Sequence, residues 1–234
     1  MVALVILPGM DGTAKPRADF VAALGPGIEA QVVSYPADRA GYAEIEALAC
    51  ASLPQDRPYV LLGESFSGPI AISIAASNPP QLIGLVLCAT FARNPLTVLG
   101  SLRWLLPLIP FGLVPIRLIG AFLLGRFASA PLLEAMRSTL AEVSMATLKA
   151  RLGAVLGADA RPALSQIRVP VLYLRATNDR LVPRRCAAAI ASALAQTRLV
   201  DVEAPHMLLQ AAPTAAATAV RTFIEQLAPA PARR

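Results

Sequence analysis

The chain has a single histidine, His206, and few charged or aromatic residues. Charged side chains make up 15% and aromatic ones 5% of its 234 residues, whereas hydrophobic residues make up 56%. This composition excludes a disordered chain and provides enough apolar surface for one substantial core. The net charge is +6, but the arginines are scattered singly without an aromatic-basic stripe. We therefore do not expect nucleic-acid binding, although a mild preference for anionic surfaces or substrates stays open.

Cysteine is scarce as well. Cys50, Cys88 and Cys186 are odd in number and far apart, and they have neither metal-ligand nor CxxC spacing. We expect buried thiols in a reducing compartment, with no metal and no cofactor.

No apolar run has the pattern of a signal peptide or a membrane span. Residues 1–8 lack a basic segment and end at Pro8-Gly9, which predicts a strand and a cytoplasmic protein. The stretch 96–124 is apolar, but Arg103 and Arg117 bracket a segment too short to cross ~30 Å, and prolines interrupt it. Weak contact of this region with a membrane interface stays an open alternative.

The chain contains instead an alternation of short apolar runs and helical stretches. The predicted strands are 2–7, 30–34, 59–62, 82–88, 169–174 and 198–202. The predicted helices between and after them include 16–24, 40–53, 70–76, 183–194 and 208–227. This alternation predicts an α/β fold, with a mostly parallel sheet and helices on both faces.

Residues 93–163 break the alternation. Several helices are predicted there, among them 116–127 and 131–152. We interpret the segment as a helical lid inserted into a core formed by residues 1–92 and 164–228, with 229–234 as a flexible tail. The lid residues expected to contact a substrate are aromatic, namely Trp104, Phe111 and Phe122. The alternative is that these helices only pack on the core.

The hexapeptide Gly63-Glu64-Ser65-Phe66-Ser67-Gly68 directly follows the predicted strand 59–62. A strand, a tight turn and a helix at this point would expose the Ser65 hydroxyl beside helix N–H groups, which is how a serine is presented for acyl transfer. The residues two before and two after it are small, although Ser67 replaces the usual glycine. Ser67 is a poorer nucleophile candidate because Pro69 would follow it at the small position. A glycine-serine helix cap is the alternative interpretation.

His206 is the only imidazole that could act as a base near neutral pH. It follows a predicted strand, where open α/β sheets place their sites. Asp179 also follows a strand, and a buried carboxylate there would orient the imidazole, although it could simply cap a turn. Asp201 and Glu203 compete less well, because Asp201 lies on a strand and Glu203 is too close in sequence to His206.

A developing oxyanion needs two fixed donors. The backbone N–H of Phe66, which follows the serine, is one candidate. The N–H of Met10, in the glycine-bearing loop 8–13, is the other. We expect Asp11 to order that loop through its side chain and Glu64 to support the turn or line the site.

With these motifs the chain resembles the α/β-hydrolase superfamily, in the order serine, aspartate, histidine. The segments Leu7-Pro8-Gly9-Met10-Asp11-Gly12-Thr13 and 63–68 are further similar to a branch that includes small bacterial serine esterases and plant phytyl ester synthases. The resemblance implies Ser65 as nucleophile, His206 as base, Asp179 as acid, and Met10 and Phe66 as oxyanion donors. It also implies that the first strand corresponds to the third strand of the full family fold. Two departures are Pro8-Gly9, where many relatives have His-Gly, and Ser67.

The predicted function is hydrolysis of carboxylic esters with a hydrophobic acyl chain of short to medium length, through an acyl-enzyme. Acyl transfer to an alcohol, thioester hydrolysis and carbon–carbon bond hydrolysis are alternatives that use the same triad. A non-catalytic ligand-binding protein of this fold is an alternative from another class.

Overall fold

The computed structural model describes residues 2–96 and 115–227. Within them, six strands form one sheet in the order β2-β1-β3-β4-β5-β6, and every neighbouring pair is parallel. The strands are β1 (Ala3–Leu7), β2 (Glu29–Val32), β3 (Tyr59–Glu64), β4 (Leu82–Cys88), β5 (Val171–Ala176) and β6 (Thr197–Val202). The predicted parallel α/β fold is confirmed.

Helices connect these strands. The α-helices are α1 (Ala18–Leu24), α2 (Tyr42–Ala51), α3 (Gly68–Ala76), α4 (Ile116–Leu123), α5 (Ala130–Ala141), α6 (Met145–Leu156), α7 (Arg161–Leu164), α8 (Arg184–Ala193), α9 (Leu208–Ala211) and α10 (Pro213–Leu227). Short 3-10 turns lie at Lys15–Arg17, Ser65–Ser67 and Gly125–Phe127.

Both faces of the sheet are covered by helices. Along β1, Val5 and Leu7 belong to one buried cluster and Leu4 and Ile6 to the other, because successive side chains of a strand point to opposite faces. Helix α3 packs in the first cluster, whereas α1 and α10 pack in the second. Continuous apolar runs such as β1 are therefore strands buried on both sides.

Two predicted helices are each divided in the structure. The stretch 131–152 contains α5, which ends at Ala141, and α6, which Ser144 caps with a hydroxyl that accepts from the Thr147 N–H at 3.0 Å. The stretch 208–227 divides before Pro213, which has no N–H to continue a helix. The expectation of buried thiols is wrong for Cys50, which is exposed, and holds for Cys88.

Hydrogen bonds join the two ends of the segment between β4 and β5 to each other. Asn94 donates from its side chain to the Leu156 carbonyl and from its backbone to the Ala158 carbonyl, both at 3.0 Å. Ala160 N–H donates to the Ala92 carbonyl at 2.7 Å. The division into core and lid stays a prediction.

Some expectations fall on residues that the structure does not describe. Trp104 and Phe111 lie outside the described residues, as does the tail 229–234. In the described ranges 2–96 and 115–227, no helix has the length and apolar character needed to cross a membrane.

Gly63 provides a test of the close packing before Ser65. A Cβ at this position would lie 2.6 Å from the Ala71 Cβ and 2.9 Å from the Ser67 carbonyl oxygen, neither of which can move freely. We expect Gly63→Ala to lower the free energy of unfolding by about 1–3 kcal/mol, measured by urea denaturation.

The matched control is Gly41→Ala. The nearest atoms to a Cβ there belong to the flexible Glu44 side chain at 3.8 Å, and the backbone is extended. This change should alter stability by less than about 0.5 kcal/mol. Equal effects of the two substitutions would contradict the packing explanation.

Candidate active site

Ser65 lies at the junction between β3 and α3. Its φ of 49° is in the left-handed region, which a non-glycine residue adopts only when its surroundings require it. The hydroxyl of Thr90, which follows β4, donates to the Ser65 carbonyl and so helps to hold this backbone. Close packing at Gly63 and Gly68 leaves no room for larger residues on either side. Ser65 is thus on a strained strand-to-helix turn, as the sequence predicts.

The structure brings Ser65, His206 and Asp179 together although they are far apart in the chain. Ser65 Oγ lies 2.8 Å from His206 Nε2, and His206 Nδ1 lies 2.8 Å from Asp179 Oδ2. Asp179 Oδ1 also accepts from the backbone N–H groups of Leu181 and Val182, each at 2.8 Å. In the tautomer with its proton on Nδ1, His206 would donate to Asp179 and accept from the serine hydroxyl through Nε2.

The competing carboxylates lie elsewhere. Asp201 accepts from Arg175 at 2.6 Å on the exposed edge of β6. Glu203 forms an exposed ion pair with Arg126 of the inserted segment. Neither carboxylate contacts His206.

The two backbone groups predicted as oxyanion donors belong to segments that lie close to Ser65. Phe66 is the second residue of a 3-10 turn, and the first N–H groups of a helix point outward without helical partners. The loop after β1 lies close to Ser65, since a Cβ on Gly9 would be 3.9 Å from the Ser65 Cβ. Within the described parts of the chain, the Met10 N–H donates to no backbone acceptor.

A buried ion cluster lies beneath this loop and the serine turn. Arg17, which is 1% exposed, donates to both oxygens of Asp11, at 2.6 and 2.8 Å. It also donates to Glu64, the residue before Ser65, at 2.6 Å. The second oxygen of Glu64 accepts from Gln210 at 3.0 Å. The loop after β1, the serine turn and the region after His206 are therefore joined by one hydrogen-bonded network.

The charges of this cluster stabilise one another. Burial alone would raise the pKa of Asp11, but the Arg17 charge and the hydrogen bonds from Arg17 and Thr13 hold it below its ordinary value. Burial likewise opposes the charge of Arg17, and the two carboxylates raise its pKa nevertheless. The expectation that Asp11 orders its loop agrees with these contacts.

Ser67 is fully buried and has two hydrogen-bond partners. Its hydroxyl donates to the Pro8 carbonyl and accepts from the Tyr35 hydroxyl at 2.7 Å. Burial raises the pKa of Tyr35, so this group stays a protonated donor. Ser67 therefore connects the serine turn to the loop that carries Met10, a contact that the usual glycine could not make.

The described part of the inserted segment reaches the loop that carries Asp179. Arg180 donates to the Ala121 carbonyl at 2.9 Å, and a cleft of about 240 Å³ lies between residues 124–127 and 178–180. Phe122, which we expected to contact substrate, is 47% exposed on α4. Its role in substrate binding stays a prediction.

Sequence reasoning missed several buried polar residues around the site. Arg17 lies on the same helical face as Phe20 and Leu24, and both of these are buried. Arg151 is spaced in the same way between Thr147 and Val155. A charged residue at a buried helical position was the signal available in the sequence.

Across residues 2–96 and 115–227, no group of histidine, cysteine, aspartate and glutamate side chains could hold a metal ion.

A model of the α/β hydrolase family matches residues 2–219, and the chain therefore belongs to this family. Among solved structures, the chain is similar to a hydrolase from Pseudomonas aeruginosa, with 21% identity and a TM-score of 0.74 over 95% of this chain and 89% of that one. A thermophilic esterase has 19% identity and a TM-score of 0.78 over 96% and 90% of the two chains. The enol-lactonase from Burkholderia xenovorans has 18% identity and a TM-score of 0.71 over 97% and 91%.

At these identities the structural likeness shows the fold alone. A comparison with curated protein sequences finds no match. The narrower resemblance to the branch that includes phytyl ester synthases stays a prediction.

The ion cluster predicts an acid-dependent loss of stability. Because the pKa of Asp11 is lowered on folding, the unfolded chain binds more protons as the pH falls below about 4, and stability falls with it. We expect Asp11→Asn to be less stable than the wild type by about 1–3 kcal/mol at pH 7, and this difference to shrink at pH 3.5. Urea unfolding at both pH values measures it.

Asp38→Asn is the control, because that carboxylate is 79% exposed and its ion pair with Arg39 is long, at 3.9 Å. It should change little at either pH. A difference between Asp11→Asn and the wild type that is the same at both pH values would contradict the assignment.

Proposed function

We propose that the protein is a serine hydrolase that cleaves carboxylic esters with a hydrophobic acyl chain of short to medium length. The observation that carries the proposal is the hydrogen-bonded chain from Ser65 through His206 to Asp179, with both distances at 2.8 Å. Membership of the α/β hydrolase family supports it. We propose further that it acts in the cytoplasm.

In the proposed reaction, Ser65 Oγ attacks the ester carbonyl while His206 Nε2 takes its proton. Asp179 stabilises the imidazolium that forms, since its carboxylate faces Nδ1 and is fixed by two backbone N–H groups. His206 then gives the proton to the leaving alcohol, which leaves an acyl group on Ser65. Water, activated by the same imidazole, releases the acid and restores the serine.

The negative oxygen of the tetrahedral intermediate would be bound by the N–H groups of Met10 and Phe66. These donors belong to two separate segments, which are held together through Ser67 and Arg17. Donors fixed before the reaction stabilise developing charge without reorganisation, and one of them typically contributes about 10²–10³ in turnover.

The preference for a hydrophobic acyl chain follows from the apolar composition of the inserted segment. Its described part exposes the large side chains Leu118 and Phe122 on α4. We propose that this segment covers the acyl chain as a lid. We also propose that it makes only weak contact with a membrane interface, since its arginines flank apolar residues.

The nucleophile is tested by Ser65→Ala. We expect the variant to lose turnover of a p-nitrophenyl ester series by about 10⁴-fold or more, while its unfolding curve stays like that of the wild type. Fluorophosphonate labelling, read by intact mass, should occur on the wild type and not on the variant. Retained turnover would refute the assignment of Ser65.

A wild type that is labelled but transfers the acyl group to an added alcohol would identify an acyltransferase. A wild type that is neither labelled nor active on esters or thioesters would favour a ligand-binding protein. Measuring the free acid from hydrolysis and the new ester from acyl transfer in one assay separates these outcomes.

The acid of the triad is tested by comparing two aspartates on neighbouring strands. Asp179 follows β5, and Asp201 lies within β6. Asp179→Asn should lower kcat by about 10³–10⁴-fold, because the amide no longer selects the imidazole tautomer that accepts from Ser65. Asp201→Asn is the matched control, since its carboxylate is exposed and pairs with Arg175. Its steady-state kinetics should stay within about twofold of the wild type. A larger effect at Asp201 than at Asp179 would exchange the two assignments.

A further inference from the structure

Arg151 lies in α6, on the segment inserted between β4 and β5, and is fully buried. Its guanidinium donates to three backbone carbonyls, those of Met10 at 2.7 Å, Pro36 at 3.0 Å and Arg39 at 3.0 Å. One side chain of the inserted segment thus binds the loop after β1 and the loop after β2 together.

The surroundings of Arg151 are unusual for a buried cation. Within residues 2–96 and 115–227, none of its hydrogen bonds ends on a carboxylate, whereas buried arginines are usually paired with one. Burial lowers its pKa, although the Asp11 charge opposes this effect. The face of the Tyr35 ring lies 5.8 Å from the guanidinium carbon. The buried charge of Arg151 is therefore held by backbone carbonyls.

One of the three carbonyls belongs to Met10, the residue whose N–H we propose as an oxyanion donor. The peptide that carries the Met10 N–H is held by a turn, in which Gly12 N–H donates to the Gly9 carbonyl at 3.0 Å. On one side, Ser67 binds the Pro8 carbonyl. On the other side, Arg151 binds the Met10 carbonyl. The peptides before and after the donor are therefore both held by buried side chains.

The loop is shaped to let Arg151 approach. Gly12 has a φ of +73°, and a Cβ at this position would lie 2.8 Å from Arg151 Nη1 and 2.9 Å from the Tyr35 Cβ. A side chain at position 12 would thus displace either the guanidinium or Tyr35. Both the positive φ and the close approach of Arg151 therefore require glycine at position 12.

We propose that Arg151 is a positioning residue, which holds the peptide after Met10 and thereby keeps the Met10 N–H pointing to the developing oxyanion. The inserted segment then supports the loop that carries an oxyanion donor, in addition to any role as a cover. This inference rests on the proposed function, because it concerns the same reaction at Ser65.

The test compares the wild type with Arg151→Met, Arg151→Lys and Thr147→Val. Thr147 lies one turn before Arg151 on α6 and donates to the Ala37 carbonyl, so its loss loosens the same helix on the 36–39 loop without touching Met10. We expect Arg151→Met to lower kcat for p-nitrophenyl esters by about 10–100-fold with little change in KM, as expected when a transition-state donor is misaligned. Arg151→Lys can still bind one carbonyl and should recover part of this loss.

A second measurement does not depend on turnover. Amide hydrogen exchange, read by mass spectrometry, should become faster in the peptide covering residues 8–13 of Arg151→Met. In Thr147→Val, faster exchange should be confined to the region of residues 36–42, and kcat should stay within about twofold of the wild type.

The outcomes separate this inference from the proposed function. An active wild type with kcat unchanged in a folded Arg151→Met, or with equal losses in Thr147→Val, would overturn the positioning role and leave the esterase proposal intact. Unchanged exchange in residues 8–13 of Arg151→Met would overturn it independently of activity. A wild type that hydrolyses no ester and is not labelled at Ser65 would overturn the proposed function, and with it the role of Arg151 in that reaction.

Discussion

The guanidinium of Arg17 is the interaction on which the rest of the site depends. It lies between Asp11, in the loop after β1, and Glu64, the last residue of β3. Without it, the buried carboxylate of Glu64 and the partly buried carboxylate of Asp11 would repel each other, whereas with it they become fixed points on two separate segments. The loop and the serine turn can then approach closely, since a Cβ on Gly9 would lie 3.9 Å from the Ser65 Cβ.

Much of the fold could be predicted from the sequence, because strands buried on both faces are continuous apolar runs and because β4 begins and ends where its run does. The divisions at Ser144 and Pro213 were missed, since apolar spacing continues across them. Within the candidate site, Ser65, Asp179 and His206 could be found from the sequence, because each has a side chain suited to acyl transfer and each follows a predicted strand. For Arg17 and Arg151 the helical pattern could indicate burial but not the role, because Glu64 and the Pro36 carbonyl, which they bind, lie far along the chain and leave no periodic signal.

Hydrogen bonds join the ends of the inserted segment to each other and connect the segment to the core. Asn94 binds its two ends to each other, Arg151 holds it on the loop after β1, and Arg180 binds it from the loop that carries Asp179. Two of these contacts end on loops that carry candidate site residues. Movement of the segment would therefore be coupled to the geometry around Ser65, rather than affecting access alone.

The hydroxyl of Ser67 joins Tyr35 to the Pro8 carbonyl in a place that water does not reach. A glycine at position 67 would leave both groups without their partner, whereas a phenylalanine at position 35 would remove a single donor and leave the serine bonded to Pro8. The two positions are thus epistatic, and the order in which they change matters. An evolutionary path from glycine at position 67 and phenylalanine at position 35 would encounter the smaller barrier by acquiring the serine before the tyrosine.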